Sequence, residues 1–199
     1  MDYNIREMRT DEYPLLNDFL YQAIYQPDTT NLAQKSIINK PELQVYIQDF
    51  GKQKDDYCFC ADIDNKVVGV VWVRNINGYG SIDVDTVEFA ISVFDEYQNM
   101  GIGTALMKKM LEHLKELNYP KASLAVQKGN YAVRMYLNVG FEIACETEQE
   151  YIMIHRLGNK NMQITLEKWK AENYIYFYDA SYSNKALFKK RKHRINLSQ

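Results

Sequence analysis

The sequence predicts an α/β domain: a mixed, mostly antiparallel sheet of six or seven strands flanked by about four helices. Three observations lead there. Short runs with period-two alternation recur along the chain, as in Val87, Phe89, Ile91 and Val93 set against Glu88, Ala90 and Ser92. That run passes through a glycine-bearing turn into a long amphipathic helix and then into a second apolar run, Ala122–Val126, a unit that closes as a right-handed parallel crossover. The remaining runs adjoin one another across short turns and pair as hairpins.

The elements follow in the order β-α-α-β-β-β-α-β-α-β-β. Tyr3–Arg6 reads as a short first strand. Thr10-Asp11 can cap a helix with Leu15, Leu16, Phe19, Leu20 and Ile24 inward, ending before Pro27. Pro41 suits a first helical position, with Leu43, Val45, Tyr46, Ile47 and Phe50 following and Gly51 as the stop. The intervening Gln26–Lys40 is an irregular segment of the kind that connects or shapes a pocket. Tyr57–Ile63 and Val67–Arg74 are strands joined by Asp64-Asn65, a dipeptide fit for a tight turn. Asn75–Asp85 (NINGYGSIDVD) is a loop. After the central strand, Leu106, Met107, Met110, Leu111, Leu114 and Leu117 fall at helical spacing until Asn118-Tyr119-Pro120 ends the helix. Asn130 can cap a helix carrying Ala132, Val133, Tyr136 and Val139, closed by Gly140, and Phe141–Cys145 with Tyr151–Arg156 finish as a hairpin.

The turn Gln98-Asn99-Met100-Gly101-Ile102-Gly103-Thr104 carries the most chemistry. A helix start offers unpaired N–H groups and the positive end of the dipole, and glycines let an anion reach that backbone. No Lys or Arg lies between Gln98 and Ala105, so backbone donors would do the binding. A P-loop fails, because Gly103 is followed by Thr104-Ala105 rather than Lys-Ser/Thr. A dinucleotide fingerprint is poor, because Leu106 stands where a small residue belongs. A glycine turn without a ligand is the plain alternative.

The pattern Gln-x-x-Gly-x-Gly within this element order resembles the pyrophosphate loop of the GNAT superfamily of N-acetyltransferases. A second stretch, Leu124–Ile143, is similar to a later motif of that family through Asn130, Tyr136 and Gly140-Phe141, and Tyr151–Leu157 resembles its last strand. The likeness covers residues 3–157 and implies the GNAT acyl-CoA N-acyltransferase fold with acetyl-CoA as cosubstrate and no metal. It also implies site residues. Amides of Asn99, Met100, Gly101, Ile102, Gly103 and Thr104, beside Gln98, would hold the pyrophosphate. Ile91 and Val93 would pair with the pantetheine arm in a gap left by the splayed strand at Ala122–Val126. Asn130 would contact the cofactor, and Tyr136 would protonate the departing thiolate.

The reaction sets its own demands. A lysine-like amine is neutral in only about one molecule in two thousand at pH 7, a penalty of roughly 4 to 5 kcal/mol, so a base or water chain must take its proton. In some family members a glutamate on the central strand is that base, which would be Glu88 here; an exposed polar residue of a half-buried strand is the other reading. Asp83 and Asp85 would attract a cationic amine or serve only as turn residues. A small-molecule amine is the expected acceptor, with a protein N-terminus or lysine, or a non-catalytic acyl-CoA-binding sensor, as alternatives.

Composition narrows the setting. The 199 residues suffice for one domain and an addition, and the longest apolar run, Val67–Val73, is far short of a membrane span. Cys58, Cys60 and Cys145 form no metal-ligand pattern, and a charged N-terminus gives no signal-peptide core; a cytoplasmic location is expected. Residues 158–199 hold nine Lys or Arg against three acids, leaving an acidic body at residues 1–157. This extension, with Trp169, Tyr174, Tyr176, Phe177, Tyr178 and the run Lys189–Arg194, reads as a docking segment, and a homodimer through it is one arrangement it permits. The acidic body argues against nucleic acid as a partner.

Overall fold

The computed structural model describes residues 2–28 and 30–158. The expectations for the aromatic and basic extension lie outside the described residues. Among the described residues seven strands are found: β1 (Asn4–Glu7), β2 (Tyr57–Ile63), β3 (Lys66–Arg74), β4 (Val87–Val93), β5 (Lys121–Gln127), β6 (Glu142–Glu146) and β7 (Glu150–Arg156). They form one sheet in the order β1-β2-β3-β4-β5-β7-β6. Every pair is antiparallel except β4 with β5. The β2–β3 turn is set by Asp64 and Asn65, both left-handed with φ of 50° and 64°, the conformation a two-residue hairpin loop requires.

The helices are α1 (Leu16–Ala23), α2 (Pro41–Gln44), α3 (Ile102–Glu116) and α4 (Ala132–Asn138). Helix α3 lays Ile102, Leu106, Met107, Met110 and Leu114 on one face of the sheet, where Val71, Val73, Val87, Phe89 and Leu124 meet them. The other face is covered by α1 and the segment after α2, through Leu16, Phe19, Leu20, Tyr46 and Ile47 against Cys58, Cys60, Val70 and Trp72. Strand β4 therefore separates its residues cleanly, with Val87 and Phe89 toward α3, Glu88 toward Tyr46 in the segment after α2 and Ser92 toward α1.

Two expected helices are shorter than the sequence suggests. Thr10–Leu15 is a 3₁₀ turn containing Pro14, and α-helical bonding begins only at Leu16. Helix α2 stops at Gln44 rather than running to Phe50. The cause lies on β3: the Arg74 guanidinium takes the carbonyls of Val45 and Gln48, at 3.0 and 2.8 Å. Those carbonyls are diverted from helical bonding, and the chain proceeds by tight turns to Gly51 at φ 88°.

Candidate active site

The parallel pair β4–β5 is registered only at Val87 with Ala122 and Glu88 with Ser123. Beyond it both strands continue unpaired to each other, β4 to Val93 and β5 to Gln127, so the sheet opens as a fork. The register on the other side of β4 fixes which amides face that opening. Phe94 N donates to Val68 O at 3.0 Å, and Ser92 lies opposite Val70. Neighbouring residues along a strand turn their backbone groups to opposite sides. Ser92, Ala90 and Glu88 are thus bonded to β3, while Ile91 and Val93 present theirs to the fork.

Helix α3 starts at the open end of the fork. Gly101 caps it in the left-handed conformation, φ 81°, and Asn99 before it has φ 60°. The first i to i−4 bond of the helix is Ala105 N to Gly101 O, so the amides of Ile102, Gly103 and Thr104 have no helical partner. A Cβ at Gly101 would meet nothing nearer than the Tyr3 hydroxyl at 3.9 Å, so the space over this turn is open. These features fit a diphosphate. The Ile102 side chain points into the core, whereas Met100 stays exposed. Gln98 braces the turn: its Nε2 donates to Asp95 Oδ1 at 2.7 Å and to Val93 O at 3.3 Å, and its Oε1 accepts from the Tyr131 hydroxyl at 2.7 Å.

On the α4 side the N-cap position falls to Tyr131, which makes no side-chain cap bond, and Asn130 before it uses Oδ1 to accept from Ala132 N at 2.9 Å. Tyr136 is 8% exposed and packs in the α3-side core beside Phe141, with ring centroids 6.1 Å apart. Burial, and secondarily Tyr131, raise its pKa above the ordinary tyrosine value, so it holds its proton at neutral pH.

Glu88 is not the exposed polar residue of a half-buried strand. It is 2% exposed. Its Oε1 accepts from the Tyr46 hydroxyl and from Gly80 N, the latter at 2.7 Å. Burial pushes its pKa up to about 7, against the lowering effect of those hydrogen bonds and of the Gly78 amide. The Asn75–Asp85 loop lies over it. Gly78 sits where a Cβ would strike the Tyr46 hydroxyl and Glu88 Oε2 at 2.5 and 2.6 Å, and Gly80 where one would strike the Leu124 backbone at 2.6 Å. The loop is latched by Asp83, which accepts from Lys121 Nζ and from the Thr86 hydroxyl at 2.6 Å. The Asp83 charge, which the sequence left to either a cationic amine or a turn role, is thus matched by Lys121. Asp85 is exposed and donates its amide to Asp83 Oδ1 at 3.1 Å. Sequence reasoning missed Tyr46, read as one more apolar helix residue, and Lys121; the glycine spacing in Asn-Gly-Tyr-Gly was the only local hint of close approach.

Comparison with known proteins places these elements in context. The sequence pattern of the acetyltransferase (GNAT) family matches residues 17–141. An N-alpha-acetyltransferase of Sulfurisphaera tokodaii is 29% identical over 99 residues, 46% of this chain. An uncharacterised N-acetyltransferase of Methanocaldococcus jannaschii is 27% identical over 146 residues, 70% of this chain. The matched regions span 59% and 61% of these two curated relatives, less than two thirds of their length. The crystal structure of a GNAT-family acetyltransferase from Streptococcus pneumoniae superposes with a TM-score of 0.57 at 20% identity, covering 79% of this chain and all of that one, a likeness of fold.

Proposed function

The chain belongs to the GNAT acetyltransferase family, and on that premise we propose that it transfers the acetyl group of acetyl-CoA directly to the primary amine of a small molecule. The observation that carries the reading is the fork between β4 and β5, with the Ile91 backbone and the Val93 amide turned toward it along one arm and unpaired α3 amides at its mouth. Bound acetyl-CoA supplies the thioester. The amides of Ile102, Gly103 and Thr104 hold its pyrophosphate, and Ile91 and Val93 align its arm as an added strand would. The Val93 N–H is the candidate donor to the carbonyl oxygen as charge develops there.

Glu88, directly or through a water, takes the proton from the ammonium form of the acceptor. Its pKa of about 7 rather than 4.5 makes that transfer easier by about 3 kcal/mol. The N–C bond then forms, the C–S bond breaks as the Tyr136 hydroxyl gives its proton to the sulfur, and the second proton of the attacking nitrogen passes through water to the Tyr136 oxygen, while Glu88 releases its proton to solvent. The acceptor approaches from the α1–α2 side, where Glu88 lies, which requires the Gly78–Gly80 segment to admit it. The setting that goes with this reading is cytoplasmic, and a homodimer through residues 158–199 remains part of the proposal.

A polypeptide N-terminus is the second reading, favoured by the likeness to an N-alpha-acetyltransferase. Thiol release from acetyl-CoA, measured across monoamines, polyamines and peptides with varied first residues, separates the two. Turnover confined to small amines supports the first reading and turnover confined to peptides the second. Tight coenzyme binding with no turnover on either panel overturns both in favour of a sensor.

A further inference from the structure

Tyr46 belongs to none of the motifs, yet it is built into the α1–α2 face with unusual care. Its backbone carbonyl accepts from Trp72 Nε1 at 3.0 Å, and the carbonyls of Val45 and Gln48 on either side are held by Arg74. Two side chains of β3 thus fix the segment that carries it. The Tyr46 ring is 7% exposed and stacks on Tyr79 at 6.5 Å between centroids, 13° from parallel. Its hydroxyl accepts from Tyr79 N at 2.8 Å and donates to Glu88 Oε1.

We propose that Tyr46 is the positioning residue of the base: it pins Oε1 of Glu88 so that Oε2 is the oxygen that receives the acceptor's proton. Oε1 has both of its donors, Tyr46 and Gly80 N, while Oε2 is buried beside Gly78, whose amide favours the charged carboxylate without completing a hydrogen bond of ordinary geometry among the described residues. A buried carboxylate oxygen without a donor is costly unless it is used. Ser123, opposite Glu88 in the last parallel pair and so on the same face, carries a buried hydroxyl in the same condition. The two orphaned oxygens lie where the fork begins.

The other groups around Glu88 leave this role to Tyr46. Arg74 faces it across β3 but is committed to Asp56, at 2.7 Å, and to two carbonyls. Lys121 on β5 is paired with Asp83 of the loop. Tyr79 reaches the pair through its amide. Tyr46 itself is held far above the ordinary phenol range, by burial first and then by the Glu88 charge, so it acts as a donor throughout the working pH range.

The proposal rests on the acetyl-transfer reading for what the base does, and on geometry alone for how the base is held. Tyr46→Phe keeps the ring, the stack and the carbonyl and removes only the hydroxyl. In full-length protein labelled with ¹³C at the glutamate carboxyl carbon, with Glu88→Gln identifying the resonance, the Glu88 midpoint should rise by about one pH unit in Tyr46→Phe. A midpoint that stays or falls overturns the proposal. In turnover with the best amine of the panel, the acid limb of kcat/KM should move by the same amount. At neutral pH kcat should fall about tenfold, and KM for acetyl-CoA should hold. A loss of equal size at every pH, with the limb unmoved, would assign Tyr46 a merely structural part and likewise overturn it. In a Glu88→Gln background the same change should cost little more, and a full further loss counts against the proposal. If Glu88→Gln leaves the limb in place, it is the acetyl-transfer reading of Glu88 that fails, and the titration still decides whether Tyr46 holds the carboxylate.

Discussion

The Tyr131 hydroxyl donates to Oε1 of Gln98 at 2.7 Å, tying the start of α4 to the turn that opens α3. Because Gln98 also reaches Asp95 and the carbonyl of Val93, one side chain joins the end of β4, the turn and α4. Removing it should loosen the left-handed pair Asn99 and Gly101 on which the exposed amides depend. Gln98→Ala should weaken coenzyme A binding about five- to tenfold, the equivalent of roughly 1 kcal/mol, and Tyr131→Phe by less, since that tyrosine is 64% exposed. Isothermal calorimetry with coenzyme A reads the difference, and an unaltered Kd in Gln98→Ala would show the turn to be rigid without its brace.

Tyr136→Phe tests the acid. The ring lies in the core beside Phe141 and the substitution keeps it there, so stability should change little. Turnover should fall roughly 10²- to 10⁴-fold, the usual worth of a positioned proton donor, with coenzyme affinity preserved. Steady-state rates beside a binding isotherm make the comparison, and an unchanged kcat would remove the acid role.

What the sequence disclosed and what it hid divide by sequence distance. Asp64-Asn65, the left-handed Gly101 and the alternation of β4 are local signals, and the chain obeys them. The parallel crossover was legible because strand, helix and strand follow one another. The surroundings of Glu88 were not. Its partner Tyr46 is 42 residues earlier, and Lys121 stands 38 residues after Asp83. The apolar spacing of Leu43 to Phe50 signals a helix, and only the arrival of Arg74 from β3 withdraws the carbonyls that would extend it. Side-chain chemistry between distant elements has no periodicity, so a loop of glycines and acids reads as a turn until its neighbours are known.

Gly80 supplies a test of that loop. An added methyl would lie 2.6 to 2.9 Å from the backbone of Leu124 and Ala125, which cannot yield as a side-chain tip would. Gly80→Ala should therefore cost about 1–3 kcal/mol and displace the amide that holds Glu88 Oε1. Gly129→Ala, whose nearest neighbour would be the Tyr25 hydroxyl at an ordinary 3.4 Å, is the control and should be close to neutral. Urea midpoints of the two variants compare them directly; equal midpoints would mean that the loop is free to lift from β5.

Acid should unfasten the first strand before the core. Arg6 on β1 grips Glu12 with both terminal nitrogens, at 2.7 and 2.8 Å, and reaches Asp62 on β2 at 3.0 Å. Arg9 adds its amide at 2.9 Å. The bidentate bond to Arg6, above all, holds the Glu12 pKa down to about 2 against a burial effect of opposite sign. The folded value lies below the unfolded one near 4.5, so the stabilisation is complete above pH 4.5 and is lost as pH falls toward 2. Glu12→Gln cannot titrate. The gap in stability between wild type and this variant should be widest near neutrality, narrow steadily below pH 4.5, and nearly close by pH 2. Urea unfolding at stepped pH values follows that gap, and a gap that stays constant from neutrality to pH 3 would show that Glu12 owes nothing to its charge.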